Sequence, residues 1–154
     1  MRDLYQLRTA IDGLASRLAA ERIERGEATQ LETDRLRQRF AAGNALAPDA
    51  PIHDWIESDV AFHQSIYRLS GNLAIAETVA ERWPHFKRCM GTSLANREVR
   101  AAIWVEHAAI VEGILSGIPR AAESAATYHA ENAGAALYQR LNEEAAAVES
   151  ARRA

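Results

Sequence analysis

Apolar positions recur every three or four residues along most of the chain, and no segment alternates apolar and polar residues for long. That period predicts helices throughout. Leu4, Leu7, Ile11, Leu14 and Leu18 draw one apolar stripe over residues 3–25, and Gly26 is well placed to end that helix. A second helix, 27–42, carries Leu31, Leu36 and Phe40 among many charges, which suits a surface position. After the connection AGNALAPDAPIHD, Pro51 or Asp54 starts a third helix that runs to Leu69. SGN at 70–72 is a break, with Asn72 as N-cap of a fourth helix through Val79 and Trp83. Pro84 should kink or divide that helix, because it removes a hydrogen bond and crowds the preceding turn. GTSLANRE, 91–98, has the composition of a connection; a fifth helix then covers 98–116 and ends at Gly117. Pro119 suits the first turn of a sixth, which runs to Ala147 and leaves ESARRA as a frayed end. The expectation is an all-α fold, an antiparallel bundle of about six to seven helices, forming a single domain over residues 1–154.

Polar residues interrupt these stripes in a patterned way. On the third helix, Asp59 and His63 lie among Trp55, Ile56, Phe62, Ile66 and Leu69, four residues apart and so on one face. His107 falls between Ile103 and Ile110 on the fifth helix, and His129 among the alanines of the sixth. Three helices thus each direct a histidine toward the core, and one adds a carboxylate. A lone inward histidine is commonly a hydrogen-bonded core residue. An inward carboxylate is harder to dismiss, because burying it unpaired costs several kcal/mol. One divalent cation would satisfy all four groups, and imidazole with carboxylate suits zinc first, with nickel or manganese as alternatives. His53 and His85 do not share this placement.

Composition narrows the function. Apolar residues make up 48% and charged residues 25% of 154 residues, ordinary for a soluble domain. A net charge of −3 gives no basic face for nucleic acid on this chain alone. The single cysteine, Cys89, cannot form an internal disulfide and fits a reducing cytoplasm. No apolar run approaches the ~20 residues of a membrane span.

The chain also resembles a known family, the C-terminal effector-binding (FCD) domain of FadR-type GntR transcription regulators. LYQLRTAIDGLASRLAAERI at 4–23 is similar to the family's opening helix, and DVAFHQSIYRLSGN at 59–72 to its aspartate-x3-histidine helix. EHAAIVEGILSG at 106–117 resembles its glutamate-histidine helix, and YHAENA at 128–133 its final histidine. The separations, 44 residues from His63 to His107 and 22 from there to His129, agree as well. The resemblance implies that Asp59, His63, His107 and His129 hold a divalent metal beneath a cavity for a small carboxylate effector. It also implies an arginine at Arg8 to bind the organic anion, for which guanidinium is suited. The alternative for Arg8 is a solvated salt bridge with Asp12. Arg88 is a second candidate for the anion, and Asn72 a third that fits a helix cap better. Trp55, Trp83 and Trp104 are candidates to line the cavity, although aromatic residues at this spacing usually belong to a core.

Two departures stand out. Gly117-Ile118-Pro119 replaces the Gly-Asp pair common before the family's last helix. The winged helix-turn-helix that precedes such domains cannot come from the residues before Leu4, so either the chain is an excised effector domain that reaches DNA through a domain outside it, or it is a stand-alone relative that has lost direct DNA binding. A sensor of this kind implies a homodimer acting on paired half-sites. The competing function is a small metalloenzyme acting on a carboxylate or hydroxy acid, because a metal with open positions can activate water. Glu106 is the nearest candidate base, but it adjoins His107, and neighbours on a helix point about 100° apart. A closed, purely structural metal is the third possibility.

Overall fold

The computed structural model describes residues 2–153, which contain seven α-helices and no strand. They are α1 (Arg2–Glu24), α2 (Gln30–Asn44), α3 (Ile52–Leu69), α4 (Leu73–Ala80), α5 (Trp83–Ser93), α6 (Arg97–Leu115) and α7 (Pro119–Arg153). Local chemistry sets most of the boundaries. Gly26 and Gly117 take positive φ, 68° and 63°, just beyond α1 and α6, where a side chain would be strained. Thr29 and Glu32 form a capping box that starts α2. Its Glu32 carboxyl is held down at about 2, first by the hydrogen bonds from Arg22. Asn72 and Asn96 cap α4 and α6 by accepting from Ala74 N and Glu98 N.

Several boundaries differ from the sequence expectation. The fourth helix is divided, as Pro84 led one to expect, but the break falls at residues 81–82, with Pro84 in the first turn of α5, where its missing N–H does no harm. The predicted connection over 91–98 is shorter: α5 continues to Ser93 and α6 begins at Arg97, because buried Cys89, Met90, Ser93 and Leu94 anchor the last turn of α5. Helix α7 does not fray after Ala147 but continues to Arg153. Burial ends near Leu137, and the exposed remainder rests on alanine-rich propensity and on i,i+4 pairs such as Arg140–Glu144. Ala154 lies outside the described residues. No helix is long and apolar enough to cross a membrane among the described residues.

The bundle places α1 against α7, α3 and α6, with α2 on α3 and α6, and α5 bridging α3 and α7. Helices α6 and α7 are antiparallel: Gly113 faces Ala122 while His107 meets His129. Helices α1 and α7 are antiparallel too, with Gly13 beside Thr127 and Tyr5 beside Gly134. Helices α1 and α3 run parallel, since Arg8 reaches His63 and Arg22 reaches the Leu69 carbonyl. Small residues permit this closeness. Ala15, Ala19, Ala122 and Ala126 are fully buried, and a Cβ added at Gly113 would lie 2.7 Å from the Ala122 nitrogen.

The face of α1 is the main surprise. Its leucine stripe is only half-buried, and Leu7 is exposed; the residues turned fully inward are Tyr5, Arg8, Asp12, Gly13, Ala15, Ser16, Ala19 and Ala20. Flanking helices cover α1 on several sides, so its deepest face is chosen by close approach and by polar pairing rather than by hydropathy.

Candidate metal centre

Asp59 and His63 project from α3, His107 from α6 and His129 from α7, and all four are buried. Each offers a donor atom within 4.8 Å of every other. His107 Nε2 lies 3.4 Å from Asp59 Oδ1 and 3.3 Å from His129 Nε2, and His63 Nε2 lies 3.8 Å from Asp59 Oδ2. Metal–nitrogen and metal–oxygen bonds of about 2.0–2.2 Å hold donors up to about 4.4 Å apart, so this set, of suitable chemistry and within 4.8 Å, could hold a divalent ion after a small adjustment. Burial raises the Asp59 carboxyl above its usual range, against the pull of Arg8. Burial also pushes His63 and His107 well below 6.5, reinforced for both by the positive charge of Arg8. The two imidazoles are therefore neutral, the form that binds metals.

The three rings are supported by different means. His63 sits in a charged network from α1: Arg8 Nη2 donates to His63 Nε2 at 3.0 Å, and Asp12 Oδ2 lies 3.6 Å from His63 Nδ1. Asp12 also accepts from Arg8 Nε at 3.2 Å and from the Tyr67 hydroxyl at 2.5 Å. His107 Nδ1 has no hydrogen-bond partner among the described residues; its ring is stacked on Phe62 at 4.2 Å and meets Trp104 edge-to-face at 4.7 Å. His129 Nδ1 donates to Glu106 Oε2 at 2.8 Å, and Asn132 Nδ2 donates to Glu106 Oε1 at 2.7 Å. Such outer partners fix the tautomer and direction of a ligand.

Arg8 is buried, not solvated, and it lies 3.7 Å from Asp59 as well as bonded to Asp12. Burial opposes its charge, but Asp12, Tyr5 and Asp59 outweigh that and hold it above its usual range. Arg8, Asp59 and His129 open onto a small cavity of about 20 Å³, walled on the α5 side by Met90, Ser93 and Leu94, room for about one water molecule. Tyr5 separates this cavity from an open groove between α1 and α7, and lines both. Burial raises the Tyr5 hydroxyl to about 12.

The other sequence candidates lie elsewhere. Arg88 is exposed on α5, and Asn72 is occupied as the cap of α4; neither lines the cavity. Trp55, Trp83 and Trp104 belong to the apolar core. His53 and His85 are exposed. Asp12, Tyr67 and Asn132 take part in the site's support although the sequence pattern did not single them out for it. One signal was available: Arg8 and Asp12 repeat on α1 the four-residue spacing of Asp59 and His63 on α3.

The sequence profile of the FCD domain matches residues 3–132, which include all four clustered donors. A comparison with curated proteins gives no match.

Proposed function

Because the chain belongs to the FCD family, the effector-binding domains of GntR/FadR-type regulators, we propose that it is the ligand-sensing domain of a bacterial transcription regulator. In this reading Asp59, His63, His107 and His129 hold one divalent ion, zinc before nickel or manganese, and a small carboxylate effector binds beside it. The convergence of the four buried donors next to a buried arginine is the observation that carries the reading. The ion would supply a Lewis-acid site with positions left for an oxygen ligand. Arg8 would receive the organic anion through its guanidinium, which is desolvated and already oriented by Asp12.

A cavity of about 20 Å³ is too small for an organic acid, so binding must widen it. Helix α5 is the wall to move: it supplies Met90, Ser93 and Leu94 and packs mainly on α3 and α7. A ligand that prefers the widened arrangement would shift the domain toward it, and an attached winged helix domain would respond. The protein would act as a cytoplasmic homodimer, with DNA contacted only by that other domain. Glu106, the nearest candidate base for the competing catalytic reading, is engaged by His129 and Asn132.

Elemental analysis of protein purified without chelator or metal-binding tag, beside a His107→Ala variant, tests the proposal. About one divalent ion per chain, lost in the variant, followed by carboxylate-dependent thermal stabilisation, is the expected result. No metal in either sample after incubation with zinc, nickel and manganese would overturn it.

A further inference from the structure

We infer that Glu106 is a tautomer selector for His129, a positioning residue, braced by Asn132, that keeps the proton on Nδ1 and leaves the Nε2 lone pair facing Asp59, His63 and His107. The geometry leaves little freedom. An ionised carboxylate only accepts, so His129 Nδ1, 2.8 Å from Glu106 Oε2, must carry the hydrogen. The neutral ring then has its lone pair on Nε2, the atom 3.3 Å from His107 Nε2. Asn132 must likewise turn its amide nitrogen toward Glu106 Oε1 at 2.7 Å. His129 and Asn132 sit three apart on α7, on one face, so both reach across to the same carboxylate on α6.

Removing the acceptor makes the inference testable. In Glu106→Ala nothing holds the hydrogen at Nδ1, so the ring is free to carry it on Nε2, which blocks the lone pair a metal would use. In Glu106→Gln the side-chain oxygen can still accept from His129, because Asn132 can turn its amide and present Oδ1 to the introduced amide nitrogen. Asn132→Ala should leave the tautomer unchanged, because a carboxylate has no donor to misdirect.

The affinity part of this inference rests on the metal reading above; the tautomer part does not. Long-range proton–nitrogen NMR of the imidazoles, on chelator-treated full chain at a pH where His129 is neutral, reads the proton's position directly. Competition titration with zinc reads affinity. Expected are an Nδ1–H signal in the wild type, in Asn132→Ala and in Glu106→Gln, and an Nε2–H signal in Glu106→Ala with zinc affinity lower by roughly 10–100-fold. An Nδ1–H signal as strong as the wild type's in Glu106→Ala, with matching circular dichroism, would overturn the selector, as would loss of Nδ1–H in Asn132→Ala. A tautomer that switches as described in a protein that binds no zinc would uphold the selector and sink the metal reading instead.

Discussion

The two flanks of the centre hold their histidines by opposite means. On the α1–α3 flank, Arg8, Asp12, Asp59, His63 and Tyr67 form one charged network sealed from solvent. On the α6–α7 flank, His107 rests on aromatic faces and His129 on Glu106, whose side chain is 17% exposed. A sealed charge network is costly to break, because each lost partner strands another buried charge. Ring packing and a half-open hydrogen bond strand much less. The difference implies that α1–α3 carries more of the domain's stability, while α6–α7 prepares the donors.

Removing one carboxylate from each side should break or sharpen that contrast most. Asp12→Ala leaves Arg8 with Asp59 as its one nearby carboxylate among the described residues and Tyr67 without its acceptor, so urea denaturation should show a loss of about 3–5 kcal/mol. Glu106→Ala strands only His129 and Asn132 and should lose about 1–3 kcal/mol. Equal losses would abolish the distinction.

Acidification should draw on both flanks alike. His63 and His107 have folded pKa values below the unfolded 6.5. As pH falls below 6.5 the unfolded chain therefore takes up protons that the fold refuses. For chelator-treated protein, stability is complete above that value and declines below it, by up to about 1.4 kcal/mol per pH unit for each histidine. Asp59, raised by burial, works in the opposite sense once the carboxylate range is reached. Urea midpoints between pH 7 and 5.5 check this, and His107→Asn should roughly halve the slope. An unchanged slope would mean that only one flank titrates.

The smallest effect separates the arginines. Arg88→Ala should change stability by less than about 0.5 kcal/mol and leave thermal shifts with small carboxylates intact. Arg8→Met should abolish those shifts. Loss of the shift in Arg88→Ala would move the anion site toward α5.

Much of the centre was legible because helical period is a local property. Asp59 and His63 share a face by their spacing alone, and the apolar neighbours of His107 and His129 mark those residues as inward. The stripe argument failed on α1, where hydropathy favoured the leucines and the structure buries Arg8 and Asp12. It left Glu106 without a partner. That residue cannot serve its neighbour His107, as the 100° rule indicates, yet it faces α7 and there meets His129. Asn132 and Tyr67 carried no signal of their own, since their roles exist only through partners on other helices.

The sequence by itself determined which segments are helical, where glycine, asparagine and proline punctuate them, and which donors share a face. Backbone hydrogen bonds and side-chain periodicity act within a few residues, so these features need no knowledge of neighbours. Only the tertiary structure decided that α1 runs parallel to α3 and that α6 lies antiparallel against α7. Those choices join Arg8 to His63 across 55 residues and His129 to Glu106 across 23. They depend on which small and large side chains permit close approach, a property of packed pairs that no single stretch of sequence contains.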